Sequence, residues 1–118
     1  DIGREENRPE MIVNITNDAW FGRTLGPWQH LAQSRMRAVE EGVPMMRVAN
    51  NGISAGFDAH GRILGQIALD SVGTIDLIAP PAIAPTIFTR YGNVGFLGLL
   101  VLAGLLFLRL DQKLLIGQ

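Results

Sequence analysis

An α/β domain followed by a helix of membrane-spanning length is what the sequence predicts, on three observations. Short apolar runs bounded by turn residues recur before residue 80, one amphipathic helical pattern lies among them, and residues 94 to 108 carry no polar side chain. Periodicities of 2 and 3.6 in one stretch of chain imply layered sheet and helix, whereas an unbroken apolar run implies a different solvent.

The first element is "MIVNIT", Met11 to Thr16, a short apolar run that ends in turn chemistry and is expected to be a buried strand. The next is helical. From Pro27, apolar residues fall at Trp28, Ala32, Met36, Val39 and Val43, while Gln29, Gln33, Arg37 and Glu40 take the opposite side. Pro27 suits the first helical position, and Gly42 with Pro44 forms a stop signal. Four strand-like runs follow, "PMMRVAN", "ISAGFD", "RILGQIAL" and "TIDLIA", separated by the turn signals "NNG", "AHG" and "DSVG". A sheet of this kind needs cover on two faces and only one helix is offered, so part of the domain is expected to lie outside this chain. The start, "DIGREENRPE", fits that expectation, being charged, without an apolar core and without an initiating Met.

Prolines at 80, 81 and 85 mark an extended linker. Beyond it, Tyr91 to Leu108 is uncharged throughout, and at 1.5 Å rise per residue it makes a helix of about 27 Å, close to the roughly 30 Å hydrocarbon core of a bilayer. A buried core helix is the other reading of that length. Gly95, Gly98 and Gly104 suit a packed membrane bundle. Arg109 and Lys113 after the span, against Arg90 before it, place the C-terminus on the cytoplasmic side. The expected division is therefore a domain portion at 1–80, a linker at 81–93, a transmembrane helix at 94–110 and a cytoplasmic tail at 111–118.

Composition removes several functions. A net charge of −1 with scattered Lys and Arg offers no basic stripe, so nucleic acid is not an expected partner. The absence of cysteine excludes a disulfide, a thiolate metal site and a cysteine nucleophile from this sequence. No metal and no cofactor are expected. Ser34, Ser54 and Thr16 lie in no Gly-x-Ser-x-Gly elbow, which argues against a serine hydrolase. Met36, Met45 and Met46 read as core filling, and Arg35 and Arg37 as solvated surface.

The segment "NDAWFGRTLGPWQH", Asn17 to His30, stands out because connecting loops favour small polar residues and this one carries two Trp and a Phe. It follows the carboxyl end of a strand, where α/β sheets build binding sites. Asn17 and Asp18 are suited to an Asx-type turn, and Gly22 and Gly26 to conformations closed to other residues. Two readings of Trp20 and Phe21 stand: an inward satellite core, or the wall of an apolar ligand site. His30 lies near a helix start, where the dipole disfavours an imidazolium, and is expected to be a neutral strut between loop and helix. Asn50, Asn51 and Gly52 form either a hairpin corner or a second edge of the site.

"NITNDAWFG", then "GPWQHLAQSRMRAVEEGVPMMRVANNGISAGFDAHGRIL", then "TIFTRYGN" ahead of a final hydrophobic helix, resemble the C-terminal part of the apolipoprotein N-acyltransferase family, whose domain is nitrilase-like and of the carbon-nitrogen hydrolase superfamily. The resemblance spans residues 11 to 109. It implies part of an αββα sandwich on the periplasmic side of the bacterial inner membrane, carried by a bundle of membrane helices. It also implies a reaction: a cysteine takes an acyl chain from a phospholipid donor as a thioester and passes it to the α-amino group of an apolipoprotein acceptor, assisted by a Glu base and an oxyanion-stabilising Lys. The implied partners are thus phospholipid, apolipoprotein, the lipid bilayer and the remainder of the parent chain. Here the sequence departs from the family's pattern, because it has no cysteine and no lysine before Lys113. The chain alone is expected to be inactive. By resemblance Asn17, Asp18, Trp20 and Phe21 border the acyl pocket, with His30 and Asn51 in support. A soluble carbon-nitrogen amidase and a non-catalytic membrane-tethered binding module are the competing readings.

Overall fold

The computed structural model describes residues 8–116, with side chains described through Arg109. Four strands form one sheet in the order β1-β2-β3-β4: β1 (Ile12–Asn17), β2 (Met45–Asn50), β3 (Ser54–Phe57) and β4 (Ile63–Ile67). Helix α1 (Gly26–Glu41) connects β1 to β2, which run parallel in the register Ile12 to Met45 and Asn17 to Asn50. Such a pairing needs a crossover, and α1 supplies it. The pairs β2/β3 and β3/β4 are antiparallel hairpins whose turns hold Asn51 at φ 54° and Gly61 at φ 75°. Both turns fall on the sequence signals NNG and AHG.

The core lies between α1 and one face of the sheet, where Leu31, Ala38, Met45, Ile53, Ala55 and Phe57 pack together with Ile12 and Leu69 alongside. Three expectations need correction here. First, the inward stripe of α1 is Pro27, Leu31, Ser34, Ala38 and Glu41, whereas Trp28 and Met36 are about half exposed, at 50% and 56%, and Val39 and Ala32 are exposed as well. The helix is turned by one residue, about 100°, from the stripe that apolar spacing picks out. The cause is Arg47: its side chain lies wholly beneath the helix and bonds Ser34 Oγ at 2.8 Å, so a polar residue holds an inward position. Met36 is accordingly not core filling. Secondly, β1 is not buried. Ile12, Asn14 and Thr16 turn toward the helix side, but Val13 and Ile15 point to the opposite face of the sheet and are exposed there, Ile15 at 81%. Thirdly, "TIDLIA" forms no strand. It crosses that other face, with Leu77 and Ile75 seated over the paired glycines Gly56 and Gly65, where side chains on the strands would collide with them. Beside this strap a depression of about 730 Å³ is lined by Met46, Val48, Ile67 and Ile75 among others.

The linker also differs from its expected extended form. Once past Pro85 the chain makes a short helix, α2 (Ile87–Tyr91), capped by Thr86, whose Oγ1 accepts from Thr89 N at 3.0 Å. This stretch is fastened to the end of α1, whose last carbonyls would otherwise lack partners. Ile83 N donates to Gly42 O at 3.0 Å, Thr89 Oγ1 to Glu40 O at 3.0 Å, and Thr86 Oγ1 also to Glu40 O. Arg8 Nη2 adds bonds to Glu41 O at 2.5 Å and Gly42 O at 2.9 Å. Gly42 itself ends α1 at φ 64°, the left-handed stop expected of it.

Helix α3 (Val94–Ile116) follows, and every side chain from Val94 to Arg109 is exposed. Among the described residues no helix is long and apolar enough to cross a membrane. The end of the span expected at 94–110, and the tail at 111–118, lie outside the described side chains.

Candidate functional site at the carboxyl end of the first strand

β1 ends at Asn17, and the chain turns at once into a single 3-10 turn, Ala19–Phe21, before reaching α1. Asn17 makes the expected Asx-type closure, its Oδ1 accepting from Ala19 N at 3.1 Å, and the same oxygen accepts from Asn50 Nδ2 at 3.2 Å. Gly22 leaves the turn at φ 56°, a value costly for any residue with a Cβ. Gly26 is required for a different reason: a Cβ there would lie 2.5 Å from the Phe21 ring.

Asp18 departs from expectation. It is fully buried, and each carboxylate oxygen is used, Oδ1 against His30 Nδ1 at 2.7 Å and Oδ2 against Arg47 Nη2 at 2.7 Å. A carboxylate so enclosed cannot wall an open pocket. It ties the loop down from below, as an ion pair whose two side chains are both inaccessible to water. His30 Nδ1 lies 2.7 Å from Asp18 Oδ1 and 3.2 Å from Arg47 Nη2, and these two contacts fix the ring's orientation. His30 is thus the strut between loop and helix that its position suggested. Arg47 also donates to Asn14 Oδ1 at 3.1 Å and from Nε to Ile53 O at 3.3 Å, so one guanidinium joins β1, the loop, α1 and the β2/β3 turn. Gly52 in that turn has no room for a Cβ because Asp18 occupies the space.

Above this buried network the aromatic residues face outward. Trp20 is 86% exposed, Phe21 is partly exposed, and the Phe21 ring meets the His30 ring edge-on at 5.7 Å between centroids. The Trp20 side chain thus does not pack inward in this structure. Asn51 is exposed at the neighbouring turn, next to the Asn50 that bonds Asn17. The structure therefore gathers Asn17, Trp20 and Phe21 at the surface, sets Asp18 and His30 beneath them, and leaves Asn51 at the margin. None of these residues lines the depression on the open sheet face.

Arg47 and Asn14 are the members that sequence reading missed. A signal existed, since an arginine inside the apolar run "PMMRVAN" is either an edge charge or a buried ion-pair member. Ser34 is no nucleophile: it accepts from Arg47 and donates to His30 O at 3.1 Å. Ser54 Oγ is likewise committed, accepting from Ala49 N at 3.0 Å. Among the described residues no group of three His, Asp or Glu could hold a metal ion. Away from the loop, Asp58 organises the β3/β4 turn. Burial pushes its carboxyl up, but bonds from Arg62 N, the Arg62 guanidinium and His60 N outweigh this and hold it below the usual carboxylate range.

Among the described residues the arrangement is a pair of exposed aromatic side chains, Trp20 and Phe21, set over a buried and hydrogen-bonded base. The carbon-nitrogen hydrolase family profile matches residues 5–78. A protein of Rickettsia bellii named apolipoprotein N-acyltransferase is 46% identical over 117 residues, which is 98% of this chain and 23% of the relative. One of the same name from Bradyrhizobium diazoefficiens is 51% identical over 107 residues, 91% of this chain and 20% of the relative. A third, from Rickettsia prowazekii, is 51% identical over 89 residues. The chain thus spans about a fifth of the length of the curated relatives it matches.

Proposed function

The chain belongs to the carbon-nitrogen hydrolase family, and from that premise we propose that it is the C-terminal portion of an apolipoprotein N-acyltransferase. The observation that carries this reading is an overall identity of 46% in a match that covers 98% of the chain. In the parent protein a cysteine thiolate outside this chain attacks the ester carbonyl of a phospholipid, forming a thioester and releasing the lysophospholipid. The α-amino group of a diacylglyceryl-cysteine then attacks the thioester, forming the amide and freeing the thiol. This chain contributes the acyl-facing wall through Trp20 and Phe21, with Asn17 and Asn51 at its rim. By itself it transfers nothing, having no cysteine.

The rest of the proposal concerns surroundings. The exposed Val13, Ile15 and Val48 on the sheet's open side support packing against a further layer of the parent, completing an αββα sandwich. Exposed apolar side chains all along α3 support a lipid or helix-bundle environment, and Arg109 and Lys113 against Arg90, together with the family resemblance, favour the loop on the periplasmic side and the C-terminus in the cytoplasm.

The test uses the intact parent, phospholipid in detergent micelles and a diacylglyceryl-cysteine peptide, with product identified by mass. N-acylated peptide is expected, and Trp20→Ala is expected to lower its yield about tenfold or more, as for an interface anchor worth more than 1.4 kcal/mol. Hydrolysis of a small soluble amide with no acyl transfer would favour a soluble amidase. Lipid binding without turnover would favour a tethered binding module.

A further inference from the structure

An indole 86% exposed to solvent is ordinarily free to move, yet Trp20 stands on a mount fixed at both ends. On one side, Asp18 is buried with both oxygens engaged. On the other, Phe21 is wedged between the His30 ring and the hydrogen-only side of Gly26, and Thr24 staples the same turn by donating to Phe21 O at 2.8 Å while accepting from Gly26 N at 3.1 Å. Only Ala19 and Trp20 lie between these anchors, within one 3-10 turn. His30 serves both, through Nδ1 to Asp18 and through its ring edge to Phe21.

We propose that His30 is a positioning residue that preorganises Trp20 for an acyl chain, without touching that chain itself. This rests on the reading of the site as an acyltransferase wall. Holding in one conformation the short turn that carries an aromatic side chain removes part of the ordering cost from binding, so the effect falls on affinity and not on the chemical step. A residue that merely maintained the fold would not show that split. Asn at position 30 can restore the bond to Asp18, because its Nδ2 lies one bond beyond Cγ just as the imidazole Nδ1 does.

The experiment uses the intact parent with a phospholipid carrying a brominated acyl chain, which quenches a nearby indole. The part of the quenching that Trp20→Phe abolishes reports on Trp20 alone. For His30→Ala the lipid concentration giving half of that quenching, and the KM for phospholipid in acyl transfer, are expected to rise about three- to tenfold, the cost of ordering one side chain. The kcat is expected to stay within twofold, and His30→Asn to recover most of the loss. The proposal is overturned if His30→Ala leaves both affinities unchanged, if kcat falls while KM holds, or if Asn does no better than Ala. Absence of any acyl transfer in the wild-type parent would sink the acyltransferase reading, while the quenching arm would still decide whether His30 mounts Trp20 against an acyl chain.

Discussion

Asp18→Asn isolates the buried charge pair. The substitution keeps the shape of the side chain and an oxygen to accept from Arg47 Nη2, but leaves the guanidinium, wholly inaccessible to water, without a counter-charge. Removing one partner of a buried pair costs about 3–5 kcal/mol, because the remaining ion has already lost its hydration. Arg47→Met should cost a similar amount, since it strands the Asp18 carboxylate with His30 alone and leaves Asn14 and Ser34 without the donor they share. The double variant contains no stranded charge. Its loss should therefore fall below the sum of the two singles by about 3 kcal/mol or more, the remainder reflecting unpartnered polar groups at about 1–3 kcal/mol. The assay is the thermal midpoint of the intact protein in detergent, with and without added salt. At about 2–4 °C per kcal/mol for a domain of 150–250 residues, each single variant should lower the midpoint by about 6–20 °C. Salt should barely change the wild-type value, because screening acts on exposed charges. Additive losses in the double variant, or single losses under about 3 °C, would show that the pair is solvated and would remove the base proposed for the aromatic loop.

Three further outcomes follow from single contacts. Gly26→Ala should destabilise by about 1–3 kcal/mol through overpacking against Phe21, and amide exchange should quicken in the 3-10 turn before it does in β3. Asp58 sets an acid limit: its folded pKa lies below the ordinary 3.8, so its stabilisation is complete above that value and is lost as pH falls through the folded pKa. Asp58→Asn should flatten the pH dependence of the thermal midpoint below pH 3.8 and leave it unchanged near neutrality apart from a constant offset. Arg23→Ala is the control, because Arg23 is 86% exposed in its 2.9 Å pair with Asp70 and should contribute less than about 1 kcal/mol.

Local rules alone determined much of this chain. The strand at 12–17, the helix that ends at Gly42, the two hairpins and the Asx closure at Asn17 depend on apolar spacing and on turn residues whose backbone preferences are intrinsic, so they are readable without neighbours. The prominence of Trp20, Phe21 and His30 was readable for the same reason, as apolar residues placed where a loop should be polar. Tertiary structure decided which way things face. Helix α1 has two candidate stripes, and the less apolar one turns inward because Arg47, a residue thirteen positions beyond Ser34, brings a guanidinium beneath it that must be hydrogen-bonded. The same buried cation draws Asp18 beneath the exposed surface of the loop. "TIDLIA" has a strand's composition, yet it lies across the sheet as a strap, since Gly56 and Gly65 leave a trough for Leu77 and Ile75 that outweighs a further edge pairing. Spacing along a chain records which residues can share a face; the desolvation of one charge, settled only when distant segments meet, selects the face that is buried.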